Sequence, residues 1–199
     1  MLVDDTDLAK KKICLFPRAT QSTSVPNRGI YQRLIIASLA LHVSSMTRSA
    51  LAKVIAKKLG ITWKNAYNHI MNELNSCLIP SGIVIENGNI PSIRGPRIYQ
   101  MTGIPCYSLS DIGILVACSL EELDIEVRKS LLQQLLNNNR QRTKVGGRSF
   151  IDARQREELV AHLQSYPQFT LELIKSGVIK FLEGKIHHPL DIIPKSNIK

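Results

Sequence analysis

The stretch 47–74, TRSALAKVIAKKLGITWKNAYNHIMNEL, decides how this chain is read. Thr47 is a hydroxyl residue suited to cap a helix, and Leu51, Val54, Ile55 and Leu59 then recur on one helical face. Gly60 follows where the chain must turn sharply, and glycine reaches the positive φ that such turns need. Ile61 plugs the turn. Thr62 can cap a second helix, along which Ala66, Ile70 and Leu74 line up at intervals of four. That spacing leaves Lys64, Asn65, Asn68, His69 and Asn72 largely on the other faces. Together with Thr62 they are donors and acceptors of the kind that read base edges and phosphates in a major groove.

The order of small and large residues sharpens the reading. Ala56 lies four before Gly60, where a small residue lets two helices cross closely, and Ala66 lies six after it, where it packs into the crossing. This resembles the helix-turn-helix pattern, with alanine at 66 where that pattern often has valine. The alternative is a plain αα-hairpin in an all-α core. The Ala–Gly–Ile–Ala spacing and the polar faces of the second helix favour the helix-turn-helix.

What flanks this stretch extends the resemblance. Gly29–Val43 supplies a preceding helix with Ile30, Leu34 and Leu41 facing inward. Downstream come Ile83-Val84-Ile85-Glu86, Asn87-Gly88-Asn89, the basic segment Ser92-Ile93-Arg94-Gly95-Pro96-Arg97, and Ile98-Tyr99-Gln100-Met101. Short β-branched runs separated by Asn-Gly and Gly-Pro are hairpin signals. Tyr107-Ser108-Leu109-Ser110-Asp111-Ile112-Gly113 resembles the Tyr-x-Leu-Thr/Ser-x-x-Gly ending of the wing strand in winged-helix regulators. The resemblance covers about residues 29–118 and implies a winged helix-turn-helix. It also implies that Thr62, Lys64, Asn65, Asn68, His69 and Asn72 meet DNA from the second helix, and Arg94 and Arg97 from the wing. The register between Leu78 and Tyr107 stays open. Arg94–Gly103 could be the passage from wing to strand, which would make Cys106–Ser110 an extra strand or an extended link.

The expected fold class is therefore mainly α with a small β-hairpin wing, a winged helix-turn-helix followed by a C-terminal helical domain. Residues 1–28 mix Asp-Asp, Lys-Lys-Lys, Ser/Thr and two prolines without a sustained period, and are expected as a flexible arm. Residues 29–118 form the winged domain, 119–185 the helical domain and 186–199 an irregular tail. In the helical part, Ser119-x-x-Glu122 resembles a capping box, and Leu120, Leu123, Val127, Leu131 and Leu135 form a broad stripe ended by Asn137-Asn138-Asn139. A basic loop, Arg140–Arg148, follows. Ser149-x-x-Asp152 then starts a helix carrying Ile151, Leu159, Val160 and Leu163, and Pro167 opens another that Gly184 stops. These helices either complete the fold of one chain or pair with a second copy as a homodimer through residues 119–185. Periodicity leaves both open.

Bulk properties bound the function. The 199 residues hold 26 Lys and Arg against 16 Asp and Glu, a net charge of +10, which attracts polyanions. No uninterrupted apolar run is long enough to span a membrane, and the N-terminus lacks a basic-then-apolar leader, so a cytoplasmic, nucleoid-associated or nuclear location is expected. Cys14, Cys77, Cys106 and Cys118 form no C-x-x-C pair and read as buried small hydrophobes. His187-His188 is the nearest thing to a metal tract and reads as a solvated pair, so no metal or cofactor is expected. The chain has no phosphate-binding Gly-rich loop, no Gly-x-Ser-x-Gly and no His-Glu-x-x-His. The expectation is sequence-specific binding of double-stranded DNA in transcriptional regulation, without enzymatic activity. Two alternatives remain, a winged-helix interaction module in a larger assembly and a replication or plasmid-partition factor.

Overall fold

The computed structural model describes residues 13–16, 27–42, 45–92, 96–144 and 153–193. Of these, 68% are helical, and the rest includes a small antiparallel sheet. The chain divides into two compact units, one up to Gly113 and one from Ile114 onward, so the division falls ahead of the expected boundary after Cys118. Arg94, residues 145–152 (including Ile151 and the helix start at Ser149) and the tail beyond Ile193 lie outside the described residues. The same holds for most of the expected arm. Its described part is not free, because Ile13 and Leu15 are buried.

The first unit begins with α1 (Asn27–Leu41), β1 (Met46–Thr47), α2 (Arg48–Leu59) and α3 (Trp63–Glu73). Thr47 caps α2, its hydroxyl accepting from Ala50 N at 3.2 Å, and Thr62 caps α3 by accepting from Asn65 N at 3.4 Å. Between them Gly60 takes the left-handed conformation, φ 65°, and its N–H and that of Ile61 both bond to Ala56 O. A side chain at 60 would be strained there, so the backbone of this turn requires glycine. Leu51, Ile55, Ala66 and Ile70 are buried, as the spacing requires. Val54, Ile30 and Leu41, expected inside, are 37%, 39% and 57% exposed. Each lies at the edge of its apolar stripe, where a period of 3.6 separates inside from outside only coarsely.

Beyond α3 the helix widens into a π turn, Leu74–Leu78. Then β2 (Val84–Ile90) pairs antiparallel with β3 (Ile104–Leu109), and β1 joins the other side of β3, giving the order β1-β3-β2. This settles the open register, since Cys106–Leu109 lies in the returning strand of the hairpin. Two expectations are corrected here. Asn87-Gly88 does not turn the chain but sits in a bulge within β2, where the register shifts between Glu86 and Asn89. Ile98–Met101 is not a strand, because Arg97–Thr102 forms a short helix, α4, at the tip of the hairpin.

The strand hands over to α5 (Asp111–Cys118) through a packed corner. Ser110 Oγ accepts from Gly113 N at 3.0 Å and donates to Gly82 O at 2.6 Å. A Cβ on Gly113 would stand 2.1 Å from Ile83 O, so the corner admits only glycine.

The second unit contains α6 (Ile125–Lys144), α7 (Ala153–Ser165) and α8 (Pro167–Leu182). The expected capping box does not form. Ser119 Oγ instead donates to Val116 O, a turn follows at Leu120–Leu123, and Asp124 O takes the first helical bond, from Arg128 N. Nor does Asn137–Asn139 end α6. With no glycine or proline before Lys144, nothing in the sequence breaks the backbone bonding there. Pro167 does open α8 at its first turn. Leu120, Leu123 and Leu135 are buried within a single copy, and Val127 and Leu131 are half-buried. Covering this stripe therefore does not call for a second copy. Leu159, Leu163, Leu171, Ile174, Val178 and Phe181 complete the core of this unit. In the expected tail, Pro189–Ile192 forms a 3-10 turn capped by His188, whose Nδ1 accepts from Leu190 N at 3.2 Å.

Two measurements check this packing. Gly113→Ala should lower the unfolding free energy by about 3 kcal/mol in denaturant titration, because the new methyl collides with backbone rather than with a movable side chain. Thiol labelling should separate the cysteines, none of which forms a disulfide. Burial pushes the Cys118 thiol up to about 12 and raises that of Cys77, so the reactive thiolate is disfavoured at both sites. At pH 8 half-exposed Cys14 should label quickly in the native protein, whereas Cys77, Cys106 and Cys118 should label only after unfolding.

Candidate nucleic-acid interface

Helix α3 presents two opposite surfaces. Ala66, Ile70 and Glu73 face inward and are buried, while Lys64, Asn65, Asn68 and Asn72 are exposed. Lys64, Asn68 and Asn72 recur every four residues and so form one outward stripe, with Asn65 beside it. Thr62 is also exposed, but its hydroxyl is already engaged as the cap of α3. His69 has a partner within the protein. It is exposed, yet its ring stacks on Tyr31 of α1, with centroids 4.3 Å apart and planes 17° from parallel. The stack holds it at the flank of the helix rather than on the stripe. On the other flank Trp63, 46% exposed, leans against Tyr67 with centroids 5.3 Å apart. Sequence alone does not mark either aromatic, because a helical aromatic is more often core than surface.

The inward side of α3 is held by a polar cluster that periodicity cannot reveal. Arg28 Nε donates to both oxygens of Glu73, at 2.7 and 2.9 Å. Its Nη2 donates to Ser76 Oγ at 3.0 Å and to Cys77 Sγ at 2.8 Å. Gln32, fully buried, donates to Glu73 Oε2 at 2.7 Å and accepts from Cys14 N at 2.8 Å. One carboxylate thus ties the segment at 13–16, α1, the end of α3 and the π turn. The hydrogen bond to Glu73 raises the Arg28 guanidinium above its ordinary value, against the desolvation that lowers it.

The placement of charge is a second feature of this unit. Between Leu8 and Asn72 the sequence holds 11 Lys and Arg and no Asp or Glu. The first acid after this run is Glu73, and it is buried against Arg28. Lys53, Lys57 and Lys58 on α2 and Lys64 on α3 are all exposed. Residues 1–113 carry 13 basic against 6 acidic residues, +7 of the chain's +10.

The remaining candidates are placed as follows. Arg97 is exposed on α4, and Arg94 lies outside the described residues. Arg48 lies over the Tyr107 ring, 5.3 Å from its centroid, and donates to Asn75 Oδ1 at 3.1 Å. It therefore serves the packing of β3 rather than the outward surface. In the second unit a cleft is lined by Asn137, Arg156, Glu157, Val160, Ala161 and Gln164, and its carboxylate, Glu157, lies 3.7 Å from Arg156. Among the described residues, no cluster of His, Cys, Asp and Glu could hold a metal ion, and no helix is long and apolar enough to cross a membrane.

Comparisons with protein-family models, with curated proteins and with solved structures find no match to this chain.

The Glu73 cluster yields a direct test. Glu73→Ala should destabilise the chain by about 2–3 kcal/mol, because it leaves buried Gln32 and a half-buried guanidinium without their shared acceptor. Glu73→Gln, which keeps one acceptor oxygen, should cost less. Denaturant midpoints for the two variants decide, and equal costs would show that a single retained acceptor oxygen contributes nothing.

Proposed function

We propose that the first unit is a winged helix-turn-helix that binds double-stranded DNA sequence-specifically, with α3 as the recognition helix and α4 at the tip of the wing. The observation that carries this reading is the charge of the surface around α3. It shows four exposed lysines, an outward Lys64–Asn68–Asn72 stripe, and a nearest acid, Glu73, that is buried and neutralised by Arg28. A helix about 10–12 Å across fits a major groove about 12 Å wide. Asn68, central on the stripe, can serve adenine N6 and N7 with two hydrogen bonds, and Asn65 and Asn72 extend the reading along the groove. Lys53, Lys57, Lys58 and Lys64 supply phosphate contacts, and Arg97, with Arg94, holds the flanking backbone or minor groove. His69, stacked on Tyr31, braces the helix at its flank. The role that fits such a module best is transcriptional regulation at a nucleoid or nuclear site.

Selection of genomic fragments by the full chain, followed by sequencing, tests the reading. Enrichment upstream of transcribed regions supports regulation. Enrichment at one origin or partition locus assigns the same chemistry to replication or partition, and capture of protein partners without DNA overturns it. On the selected site, log K against log salt concentration should fall with a slope of roughly −0.9 per phosphate contacted. Asn68→Ala should weaken that site by about 1–3 kcal/mol while leaving random DNA nearly unchanged. Arg97→Ala should weaken both alike and reduce the salt slope by about one. A flat salt dependence, or equal effects of Asn68→Ala on both DNAs, would remove α3 from the interface.

A further inference from the structure

The hairpin carries apolar surface that the core does not use. Past Val84 every residue of β2 is exposed. At its far end Ile90, 49% exposed, pairs with Ile104, and α4 sits above this closure. On α4, Ile98 is 63% exposed and Met101 78%. They are three residues apart and so project from one side of the helical turn. Arg97 is exposed next to Ile98, and from Asn87 to Ser110 the sequence has no acidic residue. A tip that combines bare aliphatic ends with cationic character suits a polyanion with an apolar interior, which describes stacked base pairs between phosphate strands.

We propose that α4 is a minor-groove wedge, in which Ile98 and Met101 press between adjacent base pairs and bend the duplex. The inference rests on the DNA-binding reading of the first unit and deepens it. The reach fits. Seven residues of β2 span roughly 20 Å, and neighbouring major and minor grooves on one face of B-DNA lie about 17 Å apart, half of a ~34 Å turn. The width decides the mode of contact. A minor groove about 6 Å wide cannot take a helix about 10 Å across, so only side-chain ends enter, and they enter by opening the groove. Apolar wedges open it by partly unstacking a base step, and the duplex bends toward the major groove. The unbranched thioether of Met101 adapts to the exposed base faces, while Arg97 meets the flanking phosphates. Unstacking is easiest at TA and CA/TG steps, so the wedge adds a sequence preference at positions that α3 never touches.

Bending and unstacking of the selected site by the full chain test this. End-to-end energy transfer reads the bend, and 2-aminopurine placed at successive steps reads local unstacking. The wild-type chain should shorten the end-to-end distance and raise 2-aminopurine fluorescence at one step. Ile98→Ala/Met101→Ala should abolish both signals, lose about tenfold in affinity together with the preference for a flexible step, and keep the discrimination provided by α3. Both side chains are exposed, so circular dichroism should show an unchanged fold. Asn68→Ala should keep the bend while losing discrimination. A site that is bound but straight, or bent equally by the double variant, overturns the wedge and leaves the DNA reading standing. Absence of duplex binding, with capture by anionic vesicles or by protein instead, overturns both.

Discussion

The carboxylate of Glu73 registers four separate stretches of the first unit against one another. Arg28 and Gln32 reach it from α1, and the same arginine bonds Ser76 and Cys77 in the π turn. Through the other end of Gln32 it also holds Cys14. Apolar packing between α1 and α3 would tolerate rotation or sliding of one helix on the other, since dispersion is nearly indifferent to direction. Directed hydrogen bonds are not indifferent, because one guanidinium must aim its Nε–H at both carboxylate oxygens and its Nη2 at Ser76 and Cys77. Burying such a pair is not a strong source of net stability. Its contribution is orientation, and the element it orients carries the exposed Asn and Lys stripe. The stack of Tyr31 on His69 acts between the same two helices.

The cluster also accounts for the electrostatics of the surface. A lone acid beside an otherwise acid-free run of basic residues would be a repulsive spot for a phosphate backbone if it faced solvent. Glu73 is turned inward and paired with Arg28, so the outward faces of α2 and α3 carry exposed lysines and no exposed acid. One residue thus anchors the helix from behind and adds no exposed acid in front.

The local signals were legible where a single residue's chemistry is sufficient. Thr47 and Thr62 cap because a side-chain oxygen there meets an orphan N–H, Gly60 turns because other residues resist its φ, and Pro167 opens a helix because it lacks a donor. Expectations failed where two solutions compete locally. Asn87-Gly88 suits a bulge as well as a turn, and Ile98–Met101 suits one helical turn as well as a strand. Ser119 suits the end of α5 as well as the start of α6. In each case the neighbouring element chose, through strand pairing or through a free carbonyl.

The sequence by itself determined the helical stripes, the caps, the αL turn and the basic balance, because these depend on spacings of a few residues and on charge counts that no folding event changes. The exposed face of α3 was legible in the same way, from intervals of four. Only the tertiary structure decided that β3 pairs between β1 and β2, that the leucine stripe after Ser119 is covered within one chain, and that His69 belongs to a stack. It alone brought Arg28, Gln32 and Glu73 together, 41 and 45 residues apart in sequence. Such contacts depend on where distant segments meet, and many sequences with the same local pattern would place different side chains there.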